Sequence, residues 1–157
     1  MRPGVRLALD VGTVRIGVAR SDASGLLAVP LDAVPAGDGS VDSVLRLAEE
    51  WEAVEAFVGL PLHMSGAEGA SSAMARAWAA DFAERAGIPV RLLDERLSTV
   101  QAQRALQAGG RSTRQSRSVI DSASAVMVLQ SALDAERSTG VAPGEAVEPE
   151  HEGGMTS

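Results

Sequence analysis

The chain opens on an apolar run, Val5 to Leu9, interrupted only by Arg6 and closed by a carboxylate, Asp10. A Gly12-Thr13 turn and a second apolar run, Ile16 to Ala19, follow. This order predicts strand, turn, strand, with Asp10 at the mouth of a hairpin. A third β-like run spans Leu26 to Val34; Pro30 within it points to a sheet edge or a strand end. After a loop of turn residues, Ser40 or Asp42 is positioned to cap a helix whose apolar face carries Val41, Val44, Leu45, Leu47, Ala48 and Trp51. Ala56 to Leu62 is short and wholly apolar, as in a strand covered on both faces. The loop His63 to Gly69 leads to a helix opened by Ser71 or Ser72, running past Trp78 and Phe82 to Ala86 and stopped by Gly87 and Pro89.

Val90 to Leu93 is the next strand, ending in Asp94-Glu95-Arg96. Val100 to Ala108 has a helical pattern that stops at Gly109-Gly110, and 109–118, rich in Arg and Ser without apolar anchors, is expected to be mobile. A last helix is expected from Val119 to Ala135, and beyond Ser138 a Gly-, Pro- and Glu-rich tail is expected to be disordered. Strands first and then alternating helices and strands predict an α/β fold. It would have a central mixed sheet of five strands, three antiparallel and then two parallel, flanked by helices. The expected division is one domain over 1–137 and a disordered acidic tail over 138–157.

Composition narrows the chemistry. Cysteine is absent and histidine is limited to His63 and His151, so any metal would be held by oxygen, which favours Mg²⁺ or Mn²⁺. No apolar run approaches the roughly 20 residues that span a bilayer, and Asp10 and Arg15 break the first apolar stretch as no signal peptide would. A cytoplasmic protein without a membrane partner is expected. The net charge of −7 at first disfavours a nucleic-acid partner, but six of the acidic residues lie from Asp134 onward against Arg137 alone. Residues 1–133 carry a net of −2, and 91–117 a net of +4. Local charge decides where a polyanion docks. Trp51, Phe57, Trp78 and Phe82 fit the core better than a base-stacking surface.

Three acids stand at the ends of apolar elements: Asp10 after the first strand, Glu95 just past 90–93, and Asp121 in the expected first turn of the last helix. If the strands 5–10 and 90–93 run parallel, their carboxyl ends share one edge, where open α/β sheets hold their sites. Carboxylates converging there repel one another unless divalent cations neutralise them. Two such ions can activate water and stabilise the leaving oxygen in phosphodiester cleavage. Each acid also has a structural reading. Asp10 could accept hydrogen bonds from the turn amides, Asp94-Glu95-Arg96 could be an exposed turn with a local ion pair, and Asp121 could serve the helix dipole.

Taken together, the motifs resemble the YqgF/RuvX family of RNase H-like nucleases, described as Holliday-junction resolvases and as pre-16S rRNA nucleases. The resemblance covers about residues 5–135. It rests on Asp10-x-Gly12-Thr13-x-Arg15-Ile16-Gly17 with Ser21-Asp22 and Gly25, and on Gly59-Leu60-Pro61-Leu62 with Met64, Gly66 and Gly69. Asp94-Glu95-Arg96-Leu97-Ser98-Thr99 and Asp121 with Ala123 and Leu129-Gln130 complete it. It implies an RNase H-like fold and an Mg²⁺- or Mn²⁺-dependent endonuclease, with Asp10, Glu95 and Asp121 as catalytic metal ligands and Asp94 as a further candidate. Arg15 and Arg96, the motif arginines, would contact phosphate or orient the acids; separately, the locally positive and mobile stretch with Arg111, Arg114 and Arg117 is expected to clamp the strand. Val14 stands where the family commonly has Lys, so one phosphate contact is either missing or supplied by Arg20 or Arg2. The implied role is maturation of the 5′ end of 16S rRNA, by a monomer or homodimer. Its rivals are Holliday-junction resolution and a noncatalytic RNA-binding assembly factor.

Overall fold

The computed structural model describes residues 3–97 and 120–148. The expected helix 100–108, the stretch 109–118 with Arg111, Arg114 and Arg117, and the residues beyond 148 lie outside them, as does Arg2. The elements are β1 (Arg6–Val11), β2 (Arg15–Ser21), β3 (Ala28–Pro35), α1 (Ser40–Glu50), β4 (Glu55–Leu60), α2 (Ala70–Ala86), β5 (Val90–Asp94), a 3₁₀ turn at Glu95–Leu97, α3 (Ala123–Thr139) and β6 (Glu145–Ala146). The sheet order is β3-β2-β1-β4-β5-β6. β1, β2 and β3 pair antiparallel, β1–β4 and β4–β5 parallel, and β5–β6 antiparallel.

The α/β class and the first five strands match the expectation; the sixth strand does not. It comes from the segment expected to be a disordered tail, and that expectation is corrected for 138–148. Thr139 ends α3, Gly140 closes it in the left-handed conformation, and the chain returns to pair Ala146 with Arg91. The composition misleads because two paired residues are too short for an apolar alternation. The anchors, Ala142 and Val147, each pack against the core.

Period-two alternation divides the core between the sheet's faces. Leu7, Leu9 and Val11 of β1, with Ile16, Val18 and Val58, join Val41, Val44, Ala75, Ala79 and Phe82 under α1 and α2. The other face is built of smaller residues, Ala8, Ala19 and Ala28, with Phe57 and Leu93. These let α3 lie close on Ala125, Val126, Leu129, Ala132 and Leu133. Asp10 follows Ala8 by two, so it belongs to the α3 face.

The helix starts correct the predicted ones by a residue or two. Gly39, not Ser40 or Asp42, precedes α1; Ser40 is buried and accepts the Trp78 indole N–H at 2.9 Å. Gly69 precedes α2, and its amide donates to the Ser72 hydroxyl at 3.2 Å. Asp121 is not in the first turn of α3 but one residue ahead of its N-cap, Ser122. β3 is an edge strand, as Pro30 implied. Far from the carboxyl end of β1, the fully buried Arg6 guanidinium stands 3.7 Å from the buried Glu136 carboxylate. No helix among the described residues is long and apolar enough to cross a membrane.

Candidate active site

Asp10 lies one row from the carboxyl end of β1, and its two sheet neighbours in that row are glycines. Gly17 is its cross-strand partner on β2. Gly59 on β4 comes one residue past the Leu9–Val58 pair. Each bare position admits part of another acidic residue. A Cβ on Gly59 would stand 2.5 Å from Glu95 Oε2 and 2.9 Å from its Cγ, so the Glu95 side chain crosses the strand where no side chain exists. A Cβ on Gly17 would stand 2.7 Å from the Asp121 carbonyl oxygen and 3.1 Å from Ser122 Cα, so the entry to α3 rests directly on β2. The glycine row is what brings the second and third acids to the first.

Ser122 fixes that entry. At Gly17 the β2–β3 register shifts, between Ile16 and Val18. The fully buried Ser122 hydroxyl accepts the Val18 N–H at 2.9 Å and donates to the Leu31 carbonyl at 2.7 Å. One hydroxyl thus serves both strands at the irregularity and sets the position of Asp121.

Glu95 begins the turn after β5 and reaches back over Gly59 to hydrogen-bond Asp10. Its acid strength is far from ordinary. Burial first, then the Asp10 charge and hydrogen bond, and last the Asp94 charge, push the Glu95 carboxyl up to about 8. At neutral pH the Glu95 carboxyl therefore keeps its proton. Oε2 of Glu95 is buried without a hydrogen-bond partner. An orphaned buried oxygen beside a second carboxyl is an arrangement that a hard cation satisfies, and the donors are all oxygen. The pair fits a divalent metal of the Mg²⁺ or Mn²⁺ type.

Asp121 stands at the same edge, but its Oδ2 accepts the Arg15 Nε–H at 2.8 Å. Among the described residues no three acidic, histidine or cysteine side chains gather closely enough to hold a metal. The structure thus joins Asp10 to Glu95 and holds Asp121 beside them on Arg15. Asp94 is occupied. Arg96 donates to both its oxygens at 2.7–3.1 Å, its backbone N–H adds a bond at 2.8 Å, and the arginine holds the carboxyl below the usual range. The same guanidinium donates to the Met64 carbonyl at 3.2 Å, tying the 63–69 loop to the turn that carries Glu95. His63 sits in that loop with its ring against Gly69. Arg20 does not replace the contact absent at Val14, because its guanidinium lies 4.2 Å over the Trp51 ring.

The sequence reading found the acids and missed how they meet. Gly17 and Gly59 carry a signal it did not use: each interrupts an apolar strand, where glycine marks a close backbone approach. Ser122 gives no such signal, since a serine before a helix reads as an ordinary cap.

A family model described as "RuvX: Holliday junction resolvase" matches residues 4–135. The chain belongs to the RuvX family. Among its RuvX relatives, a Thermobifida fusca protein is 51% identical over 156 residues, an alignment covering 94% of this chain and 98% of the relative. One from Clavibacter michiganensis subsp. michiganensis is 51% identical over 150 residues, covering 94% and 93%. Both carry the name "Putative pre-16S rRNA nuclease". In fold, this RuvX chain is similar to Thermus thermophilus RuvC, solved alone and in complex with a Holliday junction substrate. The TM-score is 0.63 at 15% identity, covering 89% of this chain and 99% of the other. RuvC confirms the RNase H-like architecture expected from the motifs.

Proposed function

We propose that this protein is a divalent-metal-dependent endonuclease that hydrolyses phosphodiester bonds in structured nucleic acid, with precursor 16S rRNA as its substrate. The observation that carries the reading is the Asp10–Glu95 pair, joined over Gly59 with a buried, unpartnered oxygen. Bound there, Mg²⁺ or Mn²⁺ supplies activation of a water and stabilisation of the charge that develops on the phosphate.

The chain's own residues do the rest. Asp10 and Glu95 would hold the cation, for which Glu95 must release its proton, and Asp121, held on Arg15 in the metal-free protein, would have to turn toward them to serve as a third ligand. Arg15, in holding Asp121, orients that acid in the metal-free protein. Arg96 fixes Asp94 and the Met64 carbonyl, and so the turn from which Glu95 projects. The names carried by the half-identical relatives support rRNA as substrate.

Incubation of purified protein with precursor 16S rRNA and Mn²⁺ is expected to give 5′-end cleavage that chelation abolishes. Asp10→Asn is expected to lose it by at least about 100-fold. Equal cleavage by wild type and Asp10→Asn would sink the reading. The family description favours a second substrate, a four-way DNA junction. Paired, symmetric nicks in such a junction, with the rRNA left intact, would select it.

A further inference from the structure

The C-terminal segment is neither part of the acidic pair nor of the helix that frames it, yet it connects to the site through one side chain. Arg76, on α2, is gripped from two sides. Its Nε and Nη2 donate to the two Glu68 oxygens at 2.8 and 2.7 Å, and its Nη1 and Nη2 donate to the two Glu145 oxygens at 3.0 and 3.1 Å. Glu68 belongs to the loop after β4; Glu145 belongs to β6. Both carboxyls are held below their usual range by this arginine.

The segment itself is anchored. Val147 N–H donates to the Val90 carbonyl at 2.9 Å, and Arg91 reaches the Gly144 carbonyl at 3.4 Å while bonding Glu55 at 3.0 Å. Gly144 has φ +97°, and a Cβ there would stand 2.5 Å from the Leu92 carbonyl oxygen, so the turn into β6 needs glycine. At its turn the loop is tied to Arg96 through the Met64 carbonyl, and that guanidinium also passes 3.7 Å from where a Cβ on Gly66 would be. The loop is thus stretched between the Glu95 turn and the tail strand. At its tip Met64 is 97% exposed, next to His63.

We propose that Glu145 and Arg76 are positioning residues: β6, acting through Arg76 and Glu68, holds the 63–69 loop as one wall of the site, so that its tip meets the nucleic acid. An isolated exposed ion pair contributes little. Here a single guanidinium is bonded bidentately on both sides, the geometry in which such pairs become specific. The function it serves rests on the nuclease reading; the connection between tail and loop does not.

Two variants separate the possibilities: Glu145→Gln and Arg76→Gln, both of which leave the β6 backbone intact. Amide hydrogen exchange of the metal-free protein reads the connection. In both variants the amides of 63–69 are expected to exchange faster, while those of β1 and β4 stay protected. Binding to a structured rRNA fragment reads the consequence: Kd and KM are expected to rise roughly fivefold, with kcat near wild type. Glu68→Gln is expected to give the same change, and the double variant Glu68→Gln/Glu145→Gln no more than either alone. Unchanged loop exchange in Glu145→Gln overturns the proposal, and so does faster exchange with unchanged Kd. Wild-type protein that binds no RNA would count against the nuclease reading, leaving the exchange pattern to decide the connection.

Discussion

At Gly59 the α3 face of the sheet lacks a side chain next to the one residue that must not be crowded, and the two glycines beside Asp10 should respond differently to the same change. Gly59→Ala places a methyl 2.5 Å from Glu95 Oε2 and 2.9 Å from its Cγ, so the flexible side chain must swing away as a whole. Stability should change by less than about 1 kcal/mol, since leaving the pair also relieves a buried acid. Cleavage should be lost. Gly17→Ala meets backbone, the Asp121 carbonyl at 2.7 Å, which cannot move without lifting the start of α3. That variant should lose about 1–3 kcal/mol, read by urea unfolding. Similar losses from both would mean that the row has no directional role.

Glu95 itself gives a pH-dependent test. Its carboxyl is raised from 4.5 in the unfolded chain to about 8 in the folded one. Between those values the folded state holds the proton more tightly, so metal-free protein must lose stability as pH rises through the window. Glu95→Gln, neutral throughout, should melt above wild type at pH 8 in chelator, by on the order of 1–2 kcal/mol. The gap should close toward pH 5. A gap that is constant with pH would show that Glu95 is not held protonated.

Among elements, β2, β3 and α3 meet at one hydroxyl. Ser122→Ala would leave the Val18 N–H and the Leu31 carbonyl without their buried partner. The expected cost is about 1–3 kcal/mol, with cleavage reduced further because Asp121 is set by the same joint; Ser122→Thr should keep part of both. The joint also shows where sequence reading stops. β1, β4 and β5 were legible because apolar runs bounded by turn residues leave few alternatives, and α2 because Gly87 and Pro89 mark its end. The α3 start was not. Asp121 followed by Ser, Ala, Ser and Ala looks like a first helical turn, and only the register shift between β2 and β3 shows that Ser122 is spent on the sheet. Likewise the acids were legible as acids at strand ends, whereas their pairing needed Gly17 and Gly59 in register, a relation between strands about 40 residues apart in the sequence.

For the molecule as a whole, the difficulty is charge. A chain of net −7 is proposed to bind a polyanion, and the two motif arginines at its site are already paired, Arg15 with Asp121 and Arg96 with Asp94. Opposite charges this close cancel at the range of a phosphate, so neither can supply the main attraction while its acid is ionised. The proposed reading therefore assigns that attraction to Arg111, Arg114 and Arg117, in the stretch where the sequence is locally positive. If each neutralises one phosphate, replacing all three with Gln should lower the dependence of log affinity on log salt by about 2–3. Affinity should fall far more at low salt than at high salt. Arg96→Gln should behave otherwise: it removes the hold on Asp94 and Met64 while leaving the salt dependence close to wild type. Filter binding to an rRNA fragment across a salt series, without divalent metal, distinguishes them. A salt dependence that follows Arg96 and ignores the three other arginines would place the phosphate contact at the acidic pair itself.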